Sequence, residues 1–83
     1  ENRDPDLYVH RGFTYAFDNT VEGGGHPFRI QSTQGLSGTP YTTGQSGSIT
    51  AVLYWTVPFD APSTLYYQCT LHAAMQGTIY VVS

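Results

Sequence analysis

The sequence feature that most restricts the fold is the segment 49–57, in which every second side chain is apolar. The apolar positions in it are Ile49, Ala51, Leu53, Trp55 and Val57. A period of two residues places these side chains on one face of a β-strand, whereas an amphipathic helix needs a period of about 3.6. We therefore expect a central strand here that packs one face against the core.

Shorter runs with the same alternation fill most of the remaining chain. Their inward positions are predicted to be Leu7 and Val9, then Phe13, Tyr15 and Phe17, then Phe28 and Ile30, then Leu65, Tyr67 and Cys69, and finally Ile79 and Val81. Turn-prone residues separate the runs, and no window sustains a helical period. Residues 32–48 form a polar, glycine-rich connection. The sequence thus predicts six strands and an all-β fold, a small β-sandwich with its aromatic stripe in the core.

Length and charge narrow the functional classes. The 83 residues are enough for a single domain, 1–83, with a modest core. Three basic residues and a net charge of −3 argue against a nucleic-acid surface. No apolar run is long enough for a membrane span. The sequence does not begin with Met, so we expect a processed product or part of a longer chain or assembly.

One stretch near the C-terminal end concentrates metal-ligand chemistry. Cys69, His72 and Met75 follow one another with two residues between each pair, and predicted strands flank them. A loop held at both ends by strands can direct several side chains at one point. Sulfur ligands with imidazole favour copper, and two His, one Cys and a weak axial Met form the blue-copper set. The second histidine is predicted to be His26, which shares the parity of the inward-facing Phe28.

Each of these residues alone also has an ordinary structural interpretation. A single Cys on an inward strand face is usually a small buried hydrophobe, and Met75 alone would be core filler. The combination favours ligation. Zinc is a poorer match, because structural zinc sites prefer more thiolates and rarely use a thioether. A Cys69 nucleophile with His72 as its base is disfavoured, because the spacing aims both at one point, and we expect no enzymatic activity.

Three longer segments carry a family resemblance. GGGHPFRI resembles the first-ligand strand of the cupredoxins, the blue-copper fold of plastocyanin, azurin, pseudoazurin and amicyanin, with His26 after a Gly. VPFDAPSTLYYQCTLHAAMQGTIYVV resembles the closing unit of that family, and DLYVHRGFTYAFDN resembles its early hairpin. The resemblance covers nearly the whole chain, and the short His-to-Met spacing is similar to that of amicyanin.

The resemblance implies a Greek-key β-sandwich that binds one copper ion. His26, Cys69 and His72 would hold the ion with Met75 axial, and the Cu(I)/Cu(II) couple would carry one electron. The electron would leave through His72 to a redox partner protein that docks around it. The implied docking surface consists of Leu71, Ala73 and Ala74. Proteins of this resemblance are mostly periplasmic, lumenal or extracellular, so an extracytoplasmic location is implied.

Two of the departures from the family pattern bear on the function. The family usually has a further first strand before the early hairpin, so we expect that an upstream part was cut away or that a neighbouring chain fills the edge. Residue 27, often Asn in the family, is Pro27, which has no backbone N–H to offer the cysteine sulfur, so we expect a lowered reduction potential. The missing strand supports an alternative, a cupredoxin-like structural or interaction module of a larger extracellular or virion protein, with copper structural or optional.

Overall fold

The computed structural model describes residues 5–20 and 27–83. No helix of the length and apolarity needed to cross a bilayer occurs in these two ranges. The described residues form seven strands: β1 (Leu7–His10), β2 (Thr14–Asp18), β3 (Phe28–Gln31), β4 (Gln45–Gly47), β5 (Val52–Thr56), β6 (Thr64–Cys69) and β7 (Gln76–Val82).

The strands form two sheets, with the orders β1-β7-β6-β3 and β2-β5-β4. Neighbouring strands are antiparallel except β1 and β7, which run parallel. The chain passes between the sheets several times, because β1, β3, β6 and β7 belong to the first sheet and the other strands to the second. This all-β architecture of two sheets agrees with the predicted sandwich.

Both sheets contribute to one hydrophobic core. Its buried members are Val9, Ile30, Leu65, Ile79 and Val81 from the first sheet, Leu53 and Trp55 from the second, and Val57 and Ala61 from the segment between them. Trp55 is fully buried, and its indole N–H donates to the Thr43 carbonyl (3.0 Å). The largest core side chain therefore also has its polar atom satisfied.

The alternation that predicted a central strand is confirmed in β5, which lies in the middle of its sheet. Leu53 and Trp55 are buried, whereas the side chains on either side of Trp55 are exposed. The strand is shorter than the predicted run and begins at Val52. Residues 48–51 form a turn instead, in which the N–H of Ala51 donates to the Ser48 carbonyl (3.2 Å).

Two predictions about the strands are wrong. Among the described residues there are seven strands rather than six, because β4 lies inside the predicted polar connection. This strand has no apolar alternation, and its last residue, Gly47, has a φ of 85°, so only its pairing with β5 defines it. Phe13, predicted as a core aromatic, is 61% exposed. It lies in the turn before β2, where its ring contacts His10.

Candidate metal centre

The predicted ligand stretch forms a tight connection between the antiparallel neighbours β6 and β7. Cys69 is the last residue of β6, and Met75 immediately precedes β7. The N–H of Cys69 donates to the Met75 carbonyl (2.8 Å), and the N–H of Met75 donates to the His72 carbonyl (3.0 Å). The N–H of His72 lies 3.4 Å from the Cys69 carbonyl. Backbone hydrogen bonds therefore tie the three predicted ligand residues to one another.

The structure brings the Cys69 sulfur and the His72 ring together. Sγ of Cys69 lies 3.4 Å from Nδ1 of His72. Two atoms that bind one tetrahedral metal, a sulfur at about 2.3 Å and a nitrogen at about 2.0 Å, lie about 3.5 Å from each other. The observed separation therefore suits shared ligation, and it also allows a thiol–imidazole hydrogen bond when no metal is bound.

The predicted ligands differ in their access to solvent. Cys69 is 5% exposed, Met75 is half-buried and His72 is exposed. The side chains next to His72 are also exposed, as predicted; they are Leu71, Ala73 and Ala74. The sulfur is thus shielded, while the imidazole belongs to a small, largely apolar surface.

His26, the fourth predicted ligand, lies outside the described residues. The residue after it, Pro27, is buried, and its carbonyl accepts the N–H of Thr70 in the loop (3.0 Å). Phe28 then pairs with Cys69 across β3 and β6. The segment that follows His26 is therefore attached directly to the ligand loop.

The described residues hold no larger cluster of the usual metal-binding types. No group of three or more His, Cys, Asp or Glu side chains comes together within 5–20 and 27–83. Cys69 and His72 are two such residues. His10 pairs with Val82 at the far end of β7, and its Nδ1 lies 3.2 Å from the Ser83 backbone oxygen. His10 is therefore a surface residue remote from the ligand loop, as predicted.

One residue that the sequence patterns did not identify is Gln68, immediately before Cys69. Its side chain is fully buried, and its Nε2 donates to the carbonyls of Cys69 (2.9 Å) and His72 (3.1 Å). No motif marks such a glutamine. The available signal was only a polar residue within the apolar run that leads to the cysteine.

Comparisons of the chain with protein-family models, with curated proteins and with solved structures find no match. The chemistry of the site therefore has to be judged from its donor set. A buried thiol lies 3.4 Å from an imidazole, and a thioether follows three residues further along. Calcium and magnesium require oxygen ligands, whereas sulfur and imidazole suit copper. The donor set fits a soft metal ion.

Proposed function

We propose that the chain is a cupredoxin-like type 1 copper protein that transfers one electron at a time. The observation that carries this proposal is the 3.4 Å separation between Cys69 Sγ and His72 Nδ1 at the end of β6, with Met75 hydrogen-bonded to both residues through its backbone. An imidazole beside a thiolate, with a thioether close in sequence, supplies three of the four donors of such sites.

Four side chains would hold the ion: His26, Cys69, His72 and Met75. The attachment of Pro27 to the ligand loop supports His26 as the fourth member. Bound copper supplies a one-electron couple. The chain contributes a buried sulfur, which water reaches poorly, and an exposed ring, which gives the site contact with the surface. Burial and hydrogen bonding around the ligands are the means by which the protein sets the potential.

The strand order supports a Greek-key, cupredoxin-like sandwich as part of this proposal. The chain alternates between the two sheets instead of completing one before the other, and the first and last described strands, β1 and β7, lie side by side and parallel. Such an arrangement places the β6–β7 connection at one end of the molecule. The ligand loop meets the start of β3 there, through the hydrogen bond from the Thr70 N–H to the Pro27 carbonyl.

The surface around His72 fits weak, transient docking of a redox partner protein. Leu71 is 64% exposed, and Ala73 and Ala74 are exposed as well. Small apolar side chains around the ring allow close approach, and transient redox encounters bury little area. We place such a protein outside the cytoplasm, in a periplasm, lumen or extracellular space.

The experiment that tests the proposal is a titration of the metal-free chain with Cu(II), followed by visible absorption. We expect an intense thiolate-to-copper charge-transfer band that saturates at about one equivalent. Cys69→Ser should abolish the band, and His26→Ala should weaken or abolish it. His10→Ala is the matched control, because this histidine lies at the far end of β7. A folded wild-type chain that gives no band would contradict the proposal.

A second candidate function is a cupredoxin-like structural or interaction module of a larger extracellular or virion assembly. The observation that favours it is the exposure of large aromatic side chains away from the ligand loop. Phe59 is 81% exposed, Tyr8 67% and Phe13 61%. Exposed apolar side chains mark contact surfaces where they are contiguous, and Tyr8 stacks on the exposed Tyr80 (ring centroids 5.1 Å apart). A folded chain without copper binding would favour this candidate.

A further inference from the structure

The side chain of Gln68 lies against the inner side of the ligand loop. It is fully buried, and its Nε2 atom faces four carbonyl oxygens of the loop. The distances are 2.9 Å to Cys69, 3.1 Å to His72, 3.3 Å to Ala73 and 3.5 Å to Met75. The reverse orientation of the amide would put its oxygen against four other oxygens, so the chemistry fixes which atom faces the loop.

An amide nitrogen has only two hydrogens, so it cannot bond fully to four acceptors. The two shortest contacts are to Cys69 and His72, the two residues whose side chains meet at 3.4 Å. The longer contacts, to Ala73 and Met75, add attraction to the same nitrogen. One buried group therefore holds the backbone of both predicted ligands, Cys69 and His72.

The oxygen atom of the same amide is in the opposite situation. Oε1 of Gln68 is buried and has no hydrogen-bond partner among the described residues. Burying an acceptor without a partner destabilises a protein, and an apolar side chain of the same shape would avoid that cost. The amide is therefore explained by what its nitrogen does for the loop.

We propose that Gln68 is a positioning residue that holds the loop in its ligand-binding conformation before the metal arrives. The part of this inference that concerns copper rests on the proposed function. A loop that is already ordered loses less conformational entropy when it binds. A ligand set held by the protein also rearranges less between the two oxidation states.

The first experiment uses the metal-free chain and needs no assumption about copper. Gln68→Met keeps the shape and removes the donor. Cys69 is the chain's single cysteine and is 5% exposed, so its alkylation by iodoacetamide reports opening of the loop. We expect alkylation to be at least about tenfold faster in the variant, because two hydrogen bonds are lost. Amide exchange at His72 and Met75 should accelerate in the same way.

The matched control is Gln31→Met. Gln31 is also fully buried and also donates from Nε2 to the loop that follows it, to the Thr33 and Gly35 carbonyls (2.8 Å each). That loop leaves from the opposite end of the sheet. We expect Gln31→Met to lower the free energy of unfolding but to leave Cys69 alkylation, measured where the variant is folded, within about twofold of the wild type.

The second experiment adds Cu(II) alone and follows the visible spectrum. Gln68→Met should bind copper about tenfold more weakly and shift or broaden the charge-transfer band, whereas Gln31→Met should retain the wild-type band. If Gln68→Met does not fold, Gln68→Asn, which is too short to reach the same carbonyls, replaces it. If neither variant folds, Gln68 is required by the sheet itself, and the inference is overturned.

The two proposals fail in different ways. Equal alkylation rates in wild type, Gln68→Met and Gln31→Met would overturn the role of Gln68 while leaving copper binding intact. Absence of a copper band in the wild type, together with faster alkylation of Gln68→Met, would overturn the copper site but support the positioning role.

Discussion

Two loops of this protein are held by the same device at opposite ends of one sheet. Residues 32–39 follow β3, and residues 70–75 follow β6. Each loop comes after a fully buried glutamine, Gln31 or Gln68, whose side-chain nitrogen donates to carbonyls of the loop. A buried amide is thus the local solution for a loop that turns back over its own sheet.

The loops differ in what the other end of the amide does. Oε1 of Gln31 accepts the Nε–H of Arg29 (2.8 Å), and the same guanidinium donates to the Leu36 carbonyl (3.0 Å). Oε1 of Gln68 has no partner within the described part of the chain. In the first loop both ends of the amide therefore have hydrogen-bond partners, and the loop contains no His, Cys or Met. The second tolerates an unpaired acceptor beside its predicted ligands, as expected of a loop arranged for binding.

The largest expected effect is stabilisation of the fold by copper, which should depend on the second loop and not on the first. Copper binding should stabilise the fold, because ligation adds its free energy to that of folding. At free copper a thousandfold above the dissociation constant, the gain is about 4 kcal/mol. The measurement is thermal unfolding of metal-free and copper-loaded protein.

Cys69→Ser should remove this gain, and Gly38→Ala, which lies in the first loop at the opposite end of the sheet, should retain it. Coincident unfolding curves for loaded and metal-free wild type would show that this expectation is wrong.

The next effect is the loss of stability when a glycine in or beside each loop is replaced by alanine. A methyl group on Gly38 would collide with the Thr33 carbonyl and with the Gln31 amide, and backbone cannot move aside cheaply. A methyl group on Gly77, where the second loop enters β7, would first meet the hydroxyl and ring of the Tyr67 side chain. We expect Gly38→Ala to destabilise by about 3 kcal/mol and Gly77→Ala by about 1–2 kcal/mol. Denaturant unfolding checks both values, and the reverse order would contradict this description of the loops.

The sequence predicted those parts of the fold that depend on alternation. The buried positions of β5 and β7 follow the period of two, because each strand has one face in the core, whereas β6 also buries Gln68 on its other face. β4 escaped prediction because three residues ending in glycine have no pattern. Its strand conformation comes from a partner that is distant in sequence.

The candidate site divides in the same way. The two-residue spacing predicted that Cys69 and His72 would meet, and their side chains lie 3.4 Å apart. Gln68 and Gln31 could not be predicted, because their role depends on how a later loop folds back over the sheet. Hydrogen bonds between a side chain and a remote backbone leave no period and no motif in a sequence.

A smaller effect is the change in reduction potential when a hydrogen-bond donor is added near the cysteine sulfur of the second loop. Pro27 is joined to this loop through the Thr70 N–H but has no N–H of its own. Pro27→Asn adds a donor near the cysteine sulfur, and a donor there favours the more reduced state. We expect the reduction potential of the copper-loaded protein to rise by about 40 mV, the equivalent of about 1 kcal/mol.

Pro27→Ala is the informative companion, because it adds the same backbone N–H without the amide side chain. Cyclic voltammetry should show a similar rise in reduction potential for both variants. An unchanged or lower potential in both would remove Pro27 from the explanation.

The smallest effect lies beside the first loop and depends on pH. Burial, reinforced by the negative charge of Asp60, raises the pKa of Tyr41 above its ordinary value of about 10. The folded state then holds the phenolic proton more tightly than the unfolded state. The resulting stability is present below pH 10 and is lost as pH rises through the raised pKa. Tyr41→Phe should therefore flatten the fall in unfolding free energy above pH 10.

Tyr54→Phe, which also removes one phenol but from an exposed position of β5, is the comparison variant. The backbone N–H of Tyr41 donates to the Ile30 carbonyl beside the first loop (2.8 Å), so this test reports on that part of the molecule, whereas copper would act on the second loop. Equal slopes for wild type and Tyr41→Phe would show that Tyr41 contributes nothing to this titration. The two loops would then differ only in their hydrogen bonds and predicted ligands, and not in their response to alkaline pH.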